Sequence, residues 1–127
     1  MGGGQVRKTH LLASGVDLVE ETLFTAVGIP CNPHVSIENT AVAYTYVTNQ
    51  KSGVVDGLAN AAKRVAETDA SVAYCKPFVK DGAAIVGSDD ALPDWLLDVM
   101  VTDGDAKRAL DHVLSVATAL DVPRFVR

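Results

Sequence analysis

The segment at residues 52–67 has the clearest helical pattern in the chain and constrains the fold more than any other feature. Its apolar positions recur at i, i+1, i+4, i+7, i+8 and i+11, which places them on one face of a helix. They are Val54, Val55, Leu58, Ala61, Ala62 and Val65. We expect Ser52 or Asn49 to cap this helix. Because an amphipathic helix buries its apolar face against another layer, the rest of the chain must supply that layer.

The remaining sequence predicts several strands and two further helices. One helix is expected to begin near Asp17 and to end at Gly28, and a last one is expected to follow a cap at Asp103 or Asp105. Period-two patterns and β-branched residues predict the strands. Those strands cover residues 6–14, 41–48, 70–79, 83–87, 98–102 and 122–126, with a turn at 80–82 that makes a hairpin of the third and fourth, and a helical turn at 93–97.

This order of elements predicts an α+β fold. We expect a mixed or antiparallel sheet with helices packed on one face, a ferredoxin-like variant. The chain has 127 residues, 48% of them hydrophobic and 21% charged, which suits one domain over residues 1–127 with a flexible end at residues 1–5. Aromatic residues make up only 6% of the chain, which argues against an aromatic cage or a base-stacking surface.

The charge pattern argues against several kinds of partner. The formal net charge is −5, and no basic cluster is longer than Arg7-Lys8, so we expect no binding to nucleic acid. No apolar run approaches the roughly 20 residues that a membrane helix needs, so we expect no membrane partner. Nothing at the start of the sequence resembles a secretory signal. We therefore expect a cytoplasmic protein in which Cys31 and Cys75 stay reduced.

One short stretch, "GIPCNPH" at residues 28–34, places a cysteine and a histidine three positions apart. Such a pair can be half of a zinc site or a nucleophile with its base. A structural zinc site needs four ligands, however, and no second pair with this spacing occurs in the sequence. We therefore predict a bend shaped by Pro30 and Pro33, in which Cys31 packs as a small apolar residue and His34 is exposed.

The other thiol and histidines form no catalytic pattern in the sequence. Cys75 lies within a predicted strand, where burial makes a thiol inert, and Lys76 should point to the opposite face. His112 falls on the polar side of the last helix, where we expect solvent around it. His10 alternates with apolar neighbours in the predicted first strand and receives no role.

The acidic groups and the glycines give no ligand site either. Asp89-Asp90 and Asp103-Gly104-Asp105 lack the D-x-D-x-D-G pattern of a calcium loop, so helix capping and solvation explain them. No glycine-rich phosphate-binding pattern occurs. We predict neither a metal nor a cofactor, and no catalytic residues.

A series of segments has a familiar order: "QVRKTHLLAS", a helix and "GIP", then "AVAYTYVT", the Ala-rich helix, "ASVAYCKPFVKDG", "VMVTDGDAKRALDHVLSVA" and "DVPRFV". Over residues 5–127 this order resembles the bacterial microcompartment (BMC) shell domain, in the circularly permuted arrangement of some propanediol- and ethanolamine-utilisation shell proteins. The resemblance implies a cyclic homo-oligomer, hexameric or trimeric, which tiles with other shell proteins and has a central pore for small metabolites.

The resemblance also implies roles for particular residues. The loop nearest the pore corresponds to Phe78, Lys80, Asp81 and Gly82, and residues 83–97 are similar to an insertion that follows it. Lys63 and Glu67 match positions at the subunit edge, where the family tends to carry Asp and then Lys. The exchanged charges are compatible with a closed ring but less so with a tiled sheet.

These observations lead to one expected function and two alternatives. We expect a non-enzymatic, ring-forming shell-type protein. A small α+β enzyme or ligand-binding protein would instead place a site between subunits, using His10, Cys75 or His112. A small-molecule sensor is the third hypothesis.

Overall fold

The computed structural model describes residues 4–37, 40–120 and 126–127. These residues form helices and strands in the order α1 (Val6–Ser14), α2 (Leu18–Ala26), β1 (Ala41–Val47), β2 (Gly53–Val54), α3 (Leu58–Thr68), β3 (Val72–Pro77), β4 (Ala84–Ile85), β5 (Leu97–Asp103) and α4 (Ala106–Ala119). No helix in the described ranges is both long and apolar enough to cross a lipid bilayer.

The larger sheet has the strand order β1-β5-β3 and is antiparallel throughout. Both β1 and β3 run against β5, so they are parallel to each other, and α3 lies in the chain between them. A parallel pair joined through a helix with a third strand inserted between them is a split βαβ unit. The predicted α+β fold class is confirmed.

The two faces of this sheet are covered differently. Leu97, Val99 and Val101 of β5 point into the core that α3 and α4 share with the sheet. Side chains alternate along a strand, so Asp98 and Met100 face the other side. That side is covered by the segment at residues 5–14, whose helix α1 contacts β1.

The first predicted strand was wrong, because residues 6–14 form helix α1. The sequence "VRKTHLLAS" alternates weakly, but Arg, Lys, Leu and Ala also favour helices, and Gly15 ends the helix with a left-handed backbone (φ 76°). Helix α2 was predicted correctly, and its cap is Asp17, which accepts a hydrogen bond from the Val19 N–H at 3.0 Å.

The predicted hairpin between the third and fourth strands was also wrong. Strand β3 pairs with β5, and β4 pairs with the short strand β2, which the sequence had assigned to the start of α3. Helix α3 therefore begins at Leu58, not near Ser52 or Asn49, and Gly57 occupies its cap position. The predicted helical turn at residues 93–97 is absent: residues 93–96 belong to no helix or strand.

The end of the chain is described only in part. Helix α4 begins after Asp105, whose carboxylate accepts a hydrogen bond from the Arg108 N–H at 2.9 Å, as predicted for this cap. The predicted last strand falls mostly on residues 122–125, outside the described residues. Val126 forms a single antiparallel bridge with Val55.

Candidate functional site

The structure separates Cys31 and His34 from other groups that could complete a zinc or nucleophile site. Both side chains are exposed, which confirms the prediction for His34 and corrects the prediction that Cys31 packs as an apolar residue. The Cys31 thiol donates a hydrogen bond to the Glu21 carboxylate at 3.1 Å. That contact raises the pKa of Cys31, which opposes a nucleophilic thiolate. Across residues 4–37, 40–120 and 126–127, no three His, Cys, Asp or Glu side chains are placed to hold a metal.

The three side chains considered for an enzyme lie on different elements. Cys75 is buried in the core between the sheet and the helices, and burial, with the charge of Asp98, raises its pKa to about 11. His10 is exposed on α1. His112 is half-buried on α4, where its Nε2 lies 2.7 Å from the Asp69 carboxylate, so it is less solvated than predicted. The structure brings none of the three together into one site.

The contact between His112 and Asp69 joins the middle of α4 to the C-terminal end of α3. Burial would raise the pKa of Asp69, but hydrogen bonds from the Ser71 N–H and from His112 outweigh it and lower that pKa. The pair therefore holds the carboxylate in its charged form and fastens the C-terminal end of α3. This is a structural contact, since both partners already satisfy each other.

Two of the four residues assigned to a pore loop, Asp81 and Gly82, make hydrogen bonds that fix the loop to the rest of the fold. The Asp81 carboxylate accepts a hydrogen bond from the Leu58 N–H at 3.0 Å and so caps α3. Gly82 has a left-handed backbone (φ 86°) and donates to the Val55 carbonyl at 2.7 Å. Lys80 and Phe78 remain exposed. Lys63 and Glu67, the residues predicted for a subunit edge, form an exposed ion pair on α3, with 3.7 Å between the Lys63 Nζ and the Glu67 Oε1.

The acidic groups serve local contacts, as predicted. Asp90 accepts a hydrogen bond from the Ser52 hydroxyl, and Asp103 pairs with Arg108 at 2.8 Å. The Arg108 contact lowers the pKa of Asp103.

A polar pair that the sequence analysis missed lies buried between α1 and the sheet. The Gln5 Nε2 donates to the Asp98 carboxylate, and only 1% of Asp98 is exposed. Within the described part of the chain, Gln5 Oε1 and Asp98 Oδ1 have no hydrogen-bond partner. Burial raises the pKa of Asp98, against the opposing charge of Lys8, whose ammonium also lies 3.4 Å from the centre of the Tyr74 ring. An isolated acidic residue within the apolar run "LLDVMV" was the available signal.

Four of the seven aromatic residues gather at the end of β1. The rings of Tyr46 and Trp95 stack at 4.4 Å and 6°, Phe78 lies 5.8 and 6.0 Å from them, and Tyr44 meets Tyr46 edge-on at 5.7 Å. Beside this cluster, an open groove of about 370 Å³ is lined by Phe78, Leu92, Pro93, Asp94 and Trp95. We call it the aromatic groove. No sequence pattern predicted this groove, because its residues meet only through the fold.

The helices α1 and α2 present a second apolar surface. Neither helix has a fully buried side chain. Their large exposed apolar residues are Leu11, Leu23, Phe24 and Val27, which we call the hairpin surface; Leu23 is 61% and Val27 is 73% exposed. Between the two helices runs a groove of about 830 Å³ whose lining is mostly apolar and includes Leu18, Val19 and Cys31. A helical pair with this composition is a candidate for contact with another protein surface.

Comparison with known proteins does not extend these observations: no protein-family model, no curated protein and no solved structure matches the chain.

Proposed function

We propose that this protein is a structural protein that assembles from copies of its own chain, with the hairpin surface as the contact between two copies. The observation that supports this most is the lack of any fully buried side chain in α1 or α2. Each helix has nine residues, and isolated helices of that length are marginal in water. Their stability must come from packing an apolar face, and a second copy supplies the missing surface.

The exposed side chains make this contact favourable. Leu23 and Val27 lie four residues apart at the C-terminal end of α2, where Val27 is the capping residue. Fully burying an exposed large apolar side chain contributes about 1.5–3 kcal/mol, so covering the exposed parts of Leu23, Phe24 and Val27 supplies a few kcal/mol toward association. Part of this gain offsets the cost of bringing two molecules together.

The charges of the two helices favour a second copy over an unrelated partner. Helix α1 bears Arg7 and Lys8 and no acidic residue, whereas α2 bears Glu20 and Glu21 and no basic residue. In a two-fold contact, α1 of each copy faces α2 of the other, so opposite charges meet twice. Arg7 already pairs with Asp17 at 2.6 Å and Lys8 lies 3.4 Å from the centre of the Tyr74 ring, so both cations reach a second copy mainly through their longer-range field.

The wider proposal is a shell-type assembly in the cytoplasm, as the resemblance to the permuted microcompartment shell domain implies. A two-fold contact makes a pair, and a trimer of pairs gives the six chains of a hexamer. In such a ring Phe78 and Lys80 are the exposed groups of the candidate pore loop, whereas Asp81 and Gly82 hold α3 and the loop in place. Lys63 and Glu67 remain the candidates for an outer edge that contacts other shell proteins.

The experiment that tests self-association is the solution mass, measured by light scattering after size exclusion. We expect the unaltered chain to have at least twice the monomer mass of 13.3 kDa. The double variant Leu23→Gln, Val27→Gln should lose that contact and have a lower mass than the unaltered chain, because it removes apolar area from the hairpin surface without altering buried positions.

The matched control is the double variant Leu110→Gln, Leu114→Gln on α4. These two leucines are about half exposed (51% and 50%) but lie outside the hairpin surface, so their replacement should leave the mass unchanged. A monomeric unaltered chain, or equal loss of mass in the two double variants, would overturn the proposal.

A further inference from the structure

The aromatic groove and the exposed connection at residues 28–36 are two unexplained features of the surface that match each other chemically. Residues 28–36, "GIPCNPHVS", are all exposed, and residues 29–36 belong to no helix or strand. We call them the proline segment. Ile29 and Val35 are both about half exposed (49% and 53%), so the segment offers apolar side chains on either side of its two prolines.

The two prolines favour an extended backbone at residues 29–30 and 32–33, on either side of Cys31. Pro30 and Pro33 fix their own φ angles near −65°, and each disfavours the helical region for the residue before it. The spacing Pro30-x-x-Pro33 is that of segments in the polyproline II conformation, which bind with little loss of conformational entropy because they are already extended. Such segments dock in grooves lined by aromatic side chains.

The aromatic groove has the surface that such a segment requires. Trp95 is 53% exposed, with Tyr46 stacked on one side of its ring, while Phe78 and Pro93 line the groove beside it. Leu92, at the same groove, is 90% exposed, so the described residues of its own chain leave it almost uncovered. Because burial of apolar area is favourable, a partner that covers Leu92 and the neighbouring aromatic rings would be stabilised by this contact.

The polar groups of the two surfaces can form a hydrogen bond across the contact. The loop at residues 87–96, which bounds the groove, carries Asp89, Asp90 and Asp94 and no lysine or arginine. The proline segment carries no acidic residue, and its His34 is exposed. An imidazole retains at least one N–H donor in either protonation state, and a carboxylate has several acceptor positions, so His34 can donate to Asp94.

The segment is held away from the groove of its own chain. Cys31 bonds to Glu21 on α2, and the Ser36 and Ile37 N–H groups donate to the Ser14 carbonyl at 2.9 and 3.3 Å, at the end of α1. No lining residue of the groove comes from the segment. We propose that the aromatic groove binds the proline segment of a second copy of this chain, in a head-to-tail contact.

This inference rests on the proposed self-assembly and supplies the second contact that a ring needs. A head-to-tail contact joins two different surfaces, so it repeats from copy to copy and closes into a ring when the rotation allows. Combined with the two-fold contact of the hairpin surface, it would join pairs into a larger assembly.

Trp95 is the single tryptophan of the chain, so its fluorescence reports on the groove directly. The experiment titrates the full-length protein with a synthetic peptide of residues 28–36, made with Cys31→Ser to prevent oxidation. We expect a saturable change in Trp95 emission below about 1 mM peptide, the range of weak recognition. A peptide with Pro30→Ala and Pro33→Ala should bind at least about fivefold more weakly.

The protein variant for this test is Leu92→Ser, which removes an exposed side chain and leaves the fold intact. It should weaken the peptide about fivefold or more, whereas Leu110→Ser on α4 should not. No emission change up to about 1 mM peptide, or an equal change with a scrambled peptide, would overturn the proposal. Tighter binding of an unrelated polyproline peptide would also overturn it, in favour of a foreign proline-rich partner. Because the mass of the hairpin variants does not depend on this titration, failure of one proposal is distinguishable from failure of the other.

Discussion

Asp98 lies at the centre of the sheet, between Leu97 and Val99 on the middle strand. Burial raises the pKa of its carboxyl group, and Lys8 and Gln5 only partly oppose that rise. An acid with a raised pKa binds protons more tightly in the folded protein than in the unfolded chain. The free energy of unfolding therefore falls as the pH rises from the ordinary value of 3.8 through the folded-state pKa.

We expect Asp98→Asn to raise the free energy of unfolding at pH 7 by about 1 kcal/mol. An amide costs less to bury than a carboxylate, and it can accept from Gln5 Nε2 while donating to Gln5 Oε1. The gain should shrink as the pH falls toward 3.8, where the native carboxyl is already protonated. Urea unfolding at both ends of this range measures the difference.

The matched control for that prediction is Asp89→Asn, at an exposed loop position, which should change stability by less than about 0.5 kcal/mol. Destabilisation by Asp98→Asn at pH 7 would contradict the argument. It would indicate that Asp98 is ionised in the folded protein and held by Lys8.

At the scale of elements, the start of α3 depends on a residue distant in sequence. Gly57, at the cap position, has no side chain to accept a hydrogen bond, and the Asp81 carboxylate, on the loop after β3, takes that place at Leu58. A capping carboxylate also interacts favourably with the partial positive charge at the N-terminal end of the helix. The same contact fixes the loop to α3, so Asp81 is better explained as a cap than as a group that lines a pore.

We expect Asp81→Ala to lower the free energy of unfolding by about 1 kcal/mol, the usual cost of losing a helix cap. Asp81→Asn should cost less, because its amide oxygen can still accept from the Leu58 N–H. Chemical denaturation followed by circular dichroism measures both. Lys80→Ala, on the neighbouring exposed side chain, is the control and should be close to neutral; an equal effect of Lys80→Ala and Asp81→Ala would refute the capping role.

The elements that the sequence predicted well are those whose signals are local. Helices α2 and α4 each have a cap, Asp17 and Asp105, immediately before residues with an apolar helical periodicity. Strand β5 coincides with a run of residues whose pattern predicted a strand. Segments with weak local signals were wrong. The nine residues of α1 are too few to distinguish a helical from a strand periodicity. The position of α1 also depends on the buried contact between Gln5, just before the helix, and Asp98 on the middle strand.

The candidate sites were harder to predict than the fold, for a related reason. Tyr46, Phe78 and Trp95 come from three distant parts of the chain, and only the pairing of β1 and β3 with β5 brings them together. Low aromatic content suggested that no aromatic surface exists, whereas the few aromatic residues are concentrated. Total composition does not reveal such clustering, because long-range pairing determines it.

For the whole molecule, the two proposed contacts differ in symmetry and therefore in what they can build. The hairpin surface is self-complementary and makes pairs, while the aromatic groove and the proline segment join unlike surfaces and continue from copy to copy. Both together would produce assemblies larger than a pair. The hairpin surface alone stops at a pair, whereas the head-to-tail contact alone gives a ring or an open series of copies, so mass separates their contributions.

We therefore expect the mass of the unaltered chain to exceed that of a pair at high protein concentration. The double variant Pro30→Ala, Pro33→Ala should stop at about two chains, because its hairpin surface is intact while its proline segment has lost its preformed shape. Light scattering across a concentration series measures this difference, with Leu110→Gln, Leu114→Gln as the control that should assemble like the unaltered chain. If the proline variant grows as far as the unaltered chain, assembly beyond a pair does not use the aromatic groove, and the proline segment is only the connection between α2 and β1.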